Sequence, residues 1–116
     1  MSGIRTVIYP VKDLAKAKTL FGKLSGVEPV MDEAYYVQFN VEGLEIGLDP
    51  NGHRKGMTGP VSYWHVDDVQ QSLQELLDVG AEMQQAVSDV GEGRQIASVK
   101  DADGNVIGLV PARRDV

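Results

Sequence analysis

The first apolar run, residues 4–10, is short and β-branched and reads as a strand. Asp13 follows as an N-cap, because its carboxylate can accept the orphan N–H bonds of a helix start. Leu14, Ala17, Leu20, Phe21 and Leu24 then recur at helical spacing, and Gly26 predicts the stop. Residues 27–31 and 35–40 read as strands, Glu42-Gly43 as a tight turn, and Leu44–Asp49 as the returning strand. The order then recurs. Val61–Val66 is a strand, and Asp68 caps a helix whose Val69, Leu73, Leu76 and Leu77 share one face. Gly80 ends that helix, residues 81–88 and 95–101 are strands, residues 101–105 turn, and Val106–Pro111 closes the unit.

The recurrence is visible in the residues themselves. Val11-Lys12-Asp13-Leu14 is matched by Val66-Asp67-Asp68-Val69, 55 residues later. Gly43-Leu44-Glu45-Ile46-Gly47-Leu48 is matched by Gly104-Asn105-Val106-Ile107-Gly108-Leu109, 61 residues later. The six additional residues are expected around 88–94, where Asp89, Gly91 and Gly93 suggest a longer loop. The chain is therefore read as one domain over residues 1–116, built from two βαβββ modules at 4–50 and 60–111. A Gly-rich linker at 51–59 joins them. Neither module alone covers both faces of its sheet, so the two are expected to pack together or with a partner chain.

Composition narrows the chemistry. The 116 residues are 42% hydrophobic, enough to fill a core, and carry a formal net charge of −6. That acidity argues against nucleic acid, whose phosphates want a basic surface. No apolar run reaches the length of a membrane span, and none at the N-terminus suggests a secretory signal. Without cysteine there is no disulfide, thiolate metal site or Cys nucleophile, which suits a cytoplasmic protein. No Gly-rich phosphate loop is present, and no Ser, His and Asp spacing marks a nucleophilic triad.

The duplicated unit resembles the vicinal oxygen chelate superfamily, which includes glyoxalase I, fosfomycin-resistance and bleomycin-resistance proteins and extradiol dioxygenases. Val11-Lys12-Asp13-Leu14 leading to Leu20-Phe21 and Gly26 carries the likeness, together with Asp101-Ala102-Asp103-Gly104-Asn105 before Val106-Ile107-Gly108-Leu109. The resemblance implies an α+β fold in which two tandem βαβββ modules form a curved mixed-sheet cup with helices outside. It also implies one divalent metal in the cup, held by His and Glu from the first and last strands of each module. Carried over by position, those ligands fall on Thr6, Val61, Gly47 and Gly108, none of them a competent donor for such an ion. The expectation is a metal-free member without a cofactor.

Strand alternation then nominates the cup lining. Thr6, Ile8 and Pro10 face inward on the first strand, Tyr36, Gln38 and Asn40 on the third, and Glu45, Gly47 and Asp49 on the fourth. Val61, Tyr63 and His65 do so on the fifth, and Val106, Gly108 and Val110 on the eighth. Val37, Phe39 and Trp64 are assigned to the core. The ligand-binding set is Thr6, Ile8, Tyr36, Gln38, Glu45, Gly47, Val61, Tyr63, His65 and Gly108, with Tyr36 and Tyr63 offering stacking surfaces. A mixed lining suits a neutral or weakly polar organic guest, and the chain's acidity adds a bias toward cationic ones.

The function expected is metal-independent small-molecule binding, in the manner of the bleomycin-resistance branch, with no residue assigned to catalysis. The alternative is a glyoxalase-type lyase, isomerase or transferase. It would use His65 and Glu45 as acid and base, or a relocated metal on Glu45, Asp49 and His65. His53 in the linker is read as a solvated loop residue or a gate. Exposed sheet edges predict a homodimer, and the helices are needed by their sheets, which argues against a membrane role.

Overall fold

The computed structural model describes residues 3–89 and 94–112. The first module runs β1 (Gly3–Pro10), α1 (Leu14–Ser25), β2 (Met31–Glu33), β3 (Tyr36–Val41) and β4 (Leu44–Asp49). The second runs β5 (Val61–Val66), α2 (Val69–Asp78), β6 (Glu82–Asp89), β7 (Gln95–Lys100) and β8 (Val106–Pro111). The fold is α+β with the βαβββ order written twice. The chain divides into two compact units: Arg5–Val61, and the described residues from Ser62 onward with residues 3 and 4.

In the first module the strand order is β2-β3-β4-β1, with β1 parallel to β4 and the other neighbours antiparallel. The second repeats the arrangement as β6-β7-β8-β5, with β5 parallel to β8. Parallel pairing of a first and last strand requires a crossover, and the helix supplies its first part. Asp13 and Asp68 start their helices as their sequence positions predict. Each carboxylate accepts the backbone N–H three residues on, from Lys16 and Gln71, at 3.0 Å.

One face of each sheet holds its helix. Val37, Phe39 and Leu48 are buried with Leu14, Ala17 and Phe21 of α1 packed against them. In the second module Val66, Ala97, Val99 and Leu109 are buried with Val69 and Leu73 of α2. Both cores collect alternate residues of each strand, so the intervening residues face the other way.

Several sequence expectations shift. Leu20 and Leu24 stand outside the core, because Leu14, Ala17 and Phe21 already fill the face that α1 turns to its sheet. Trp64 shares the core-side parity of Val66 but is 39% exposed. Parity decides the side on which a residue leaves the sheet, not whether anything covers it. The second strand covers only Met31–Glu33, not 27–31, since Pro29 has no N–H to give a ladder. The predicted loop at 88–94 differs too: Ser88 and Asp89 belong to β6, and residues 90–93 lie outside the described part.

Within the segment 51–59, Gly52 is buried and residues 53–56 are exposed. His53–Lys55 forms a short 3-10 turn. Asp49 anchors it, accepting from Asn51 N at 2.8 Å and pairing with Lys55 Nζ at 2.9 Å. Gly52 is buried so tightly that a Cβ there would stand 2.6 Å from Pro10 Cβ. Among the described residues no helix is long and apolar enough to cross a membrane.

Candidate functional site

The faces opposite the helices carry the candidate residues. In the first module the ladder aligns Thr6 with Glu45 and Ile8 with Gly47, while β3 sets Gln38 beside Gly47 and Asn40 beside Glu45. Residues aligned across a ladder leave the sheet on the same side. Thr6, Ile8, Gln38, Asn40, Glu45 and Gly47 therefore share this face, and so does Tyr36, two residues before Gln38.

Two features dominate it. The Thr6 hydroxyl donates to Glu45 Oε1 at 2.9 Å, and both residues are buried, at 4% and 3% exposure. Desolvating a carboxylate is costly, and the Thr6 donor offsets part of that cost for Glu45. The neighbouring Gln38 Nε2 donates to Asn40 Oδ1 at 3.0 Å. The second feature is Tyr36. Its hydroxyl lies only 2.0 Å from the place a Cβ on Gly47 would take. Gly47 is thus a notch filled by a phenol from β3.

The second module has the same notch but fills it differently. Tyr63 aligns with Gly108, and its ring atoms stand 2.3–2.7 Å from a Cβ built on that glycine. His65 aligns with Val110, and Ser98 of β7 aligns with Gly108. His65 is 2% exposed and Ser98 is likewise buried. Ser98 was missed in the sequence, although its register to Gly108 repeats that of Gln38 to Gly47 and would have nominated it. Val61 is a buried isopropyl group with nothing to donate.

Among the described residues, no three His, Asp or Glu side chains are gathered so as to hold a metal ion. Within the first module Asp49 holds Asn51 and Lys55, and Glu45 holds Thr6. His53 is exposed on the turn beyond Asp49. Thr6, Val61, Gly47 and Gly108, the positions nominated in the sequence, carry a hydroxyl, an isopropyl group and two hydrogens. A larger side chain at Gly47 or Gly108 would collide with tyrosine atoms.

No known family's sequence profile matches the chain, and no curated protein matches it in sequence. Solved structures do resemble it. A glyoxalase/bleomycin resistance protein/dioxygenase superfamily member from Vibrio splendidus 12B01 is 16% identical, covering 94% of this chain and 98% of its own, with a TM-score of 0.73. A chain described as NAD-dependent benzaldehyde dehydrogenase from Legionella pneumophila is 17% identical, covering 93% and 98%, with a TM-score of 0.76. Methylmalonyl-CoA epimerase from Mycobacterium tuberculosis is 17% identical, covering 97% and 89%, with a TM-score of 0.66. Identities this low speak for the backbone arrangement and not for chemistry.

Proposed function

The chain has the vicinal oxygen chelate fold, and from that premise we propose that it is a metal-independent binding protein for a small organic molecule. It sequesters a drug or metabolite, as a glyoxalase/bleomycin-resistance type of binder would. One observation carries the reading: the two glycines at the last-strand ligand positions are covered by tyrosine side chains of their own modules. Thr6, at a first-strand position, is engaged with Glu45, and Val61 has no donor atom. The residues proposed to touch the guest are Thr6, Ile8, Tyr36, Gln38 and Glu45 in one module, with Gly47 seating Tyr36. In the other they are Val61, Tyr63 and His65, with Gly108 seating Tyr63. Aromatic faces beside a few placed polar groups suit a planar, weakly polar molecule. Work in the cytoplasm agrees with the absence of cysteine, and the protein acts as a homodimer.

The test joins elemental analysis of the purified protein to a thermal-shift screen of aromatic and antibiotic-like compounds. Expected are no stoichiometric metal, a melting temperature indifferent to chelator, and at least one compound that raises it by mass action. Zinc, nickel, manganese or iron at one per chain would end the proposal.

A second reading is favoured by the burial of Glu45 and His65, since water-poor titratable groups are often reactive. It makes the protein an acid–base enzyme on a guest of the same kind. Turnover lost in both Glu45→Gln and His65→Gln, with the melting temperature kept, would support it over simple binding.

A further inference from the structure

The sheet edges are poor places for two copies to join. The edge strand β2 has three residues, and β6 pairs with β7 through register shifts near Met83, Gln85 and Ser88. Short and irregular edges are how proteins discourage strand addition. A different surface has the marks of an interface. On α1, Leu20 and Leu24 are 59% and 77% exposed, one turn apart. Lys16, Leu20 and Lys23 line the same shallow depression.

Charge says what that face fits. Segment 12–25 carries Lys12, Lys16, Lys18 and Lys23 against Asp13 alone, within a chain of net charge −6. Lys18 is already paired with Asp32, and Asp13 is spent on its cap. The repeat-related segment 67–78 is the reverse, with Asp67, Asp68, Glu75 and Asp78 and no Lys or Arg. Beside α2 lies a groove against β6, lined by Leu73, Leu77, Met83, Ala86 and Val87, with Met83 half exposed. Setting α1 against α1 would gather like charges, and an anionic membrane would repel the chain as a whole. The apolar groove of α2 and β6 lies beside exposed Glu75 and Asp78 of the same helix, and together they are a complement that the chain itself supplies.

We propose that α1 of one copy docks on the α2–β6 groove of a second copy. Leu20 and Leu24 enter the groove, and Lys16 and Lys23 face Glu75 and Asp78. This rests on the self-association proposed above and gives it a surface.

Sedimentation across a concentration series tests it with two charge-reversed chains, Lys16→Glu/Lys23→Glu and Glu75→Lys/Asp78→Lys. All four positions are exposed, so circular dichroism should show both variants folded. The unaltered chain should associate, less so in high salt. Each variant alone should be monomeric, and an equal mixture should regain the association, because reversed charges meet reversed charges. Leu24→Ser should weaken association by about tenfold or more without touching charge. An unaltered chain that stays monomeric at about 1 mM would sink both this interface and self-association. A dimer indifferent to the two reversals and to Leu24→Ser would leave the homodimer standing and sink the interface alone. A mixture that stays monomeric would do the same.

Discussion

The two modules share a backbone plan but not an inner surface. Thr6 and Glu45 form a buried hydrogen-bonded pair in the first. Their repeat-mates in the second are Val61 and Val106, two isopropyl groups. Gln38 and Asn40 correspond by register to Ser98 and Lys100. Even the tyrosines trade places. Tyr36 reaches its glycine from the outer strand β3, and Tyr63 reaches the other from β5. Their repeat-mates are Ile96 and Ile8. Duplication has kept what the ladders and cores require and released what the open face displays. The β1–β4 pair thus displays a hydrogen-bonded polar pair where the β5–β8 pair displays two apolar groups.

The sharpest way to break this comparison lies at the glycines. Gly108→Ala should destabilise by about 3 kcal/mol, since the added methyl meets Tyr63 at Cγ, Cδ1 and Cε1, near the root of a ring that cannot swing clear. Gly47→Ala should cost about 1–2 kcal/mol, because it meets the far end of Tyr36, which can move aside. Urea unfolding reads both. Equal costs would mean the two notches are filled in the same way after all.

The Thr6 and Glu45 pair gives the next largest effect. Thr6→Val removes a donor from a buried carboxylate and should cost about 1–3 kcal/mol. Thr6→Val with Glu45→Val recreates the pattern of the second module. It should cost less than the two single changes added together. A strictly additive double-mutant cycle would show that the pair is not coupled.

Smaller effects come from features that the modules share. Asp13→Ala and Asp68→Ala should each cost about 1 kcal/mol, as both caps make the same bond. Unequal losses, measured by thermal unfolding, would show that one helix start is held by something else.

The smallest effect is one of pH, at the turns before the last strands. The first module turns through Glu42 and Gly43, both with positive φ, as a two-residue hairpin demands. The second turns on Asp101, whose carboxylate accepts from Asn105 Nδ2 and from the backbone N–H groups of Asn105 and Asp103. Those bonds, the Asn105 side chain first, hold its pKa below the ordinary 3.8. The folded state thus binds the proton less readily than the unfolded one. The contribution is present above the unfolded pKa and fades as pH falls through the lowered folded value. Asp101→Asn should lower stability slightly near neutrality, and the difference from the unaltered chain should vanish as pH falls through that acid window. An unchanged acid limb would mean that the turn does not feel the charge.

The order of strands and helices, both helix starts, the duplication and the two cores were legible in the residues, because they depend on local bonding and on periods of two and 3.6. The parity that separated Val37 and Phe39 from Gln38 and Asn40 needed nothing further. Other features waited for the fold. That Leu20, Leu24 and Trp64 stay uncovered depends on how much surface each helix spares. That Tyr36 and Tyr63 fill the glycine notches depends on side chains reaching across strands. That Thr6 meets Glu45 joins residues 39 positions apart. Sequence spacing carries information along one strand or helix, whereas contacts between elements exist only once the chain has brought them together.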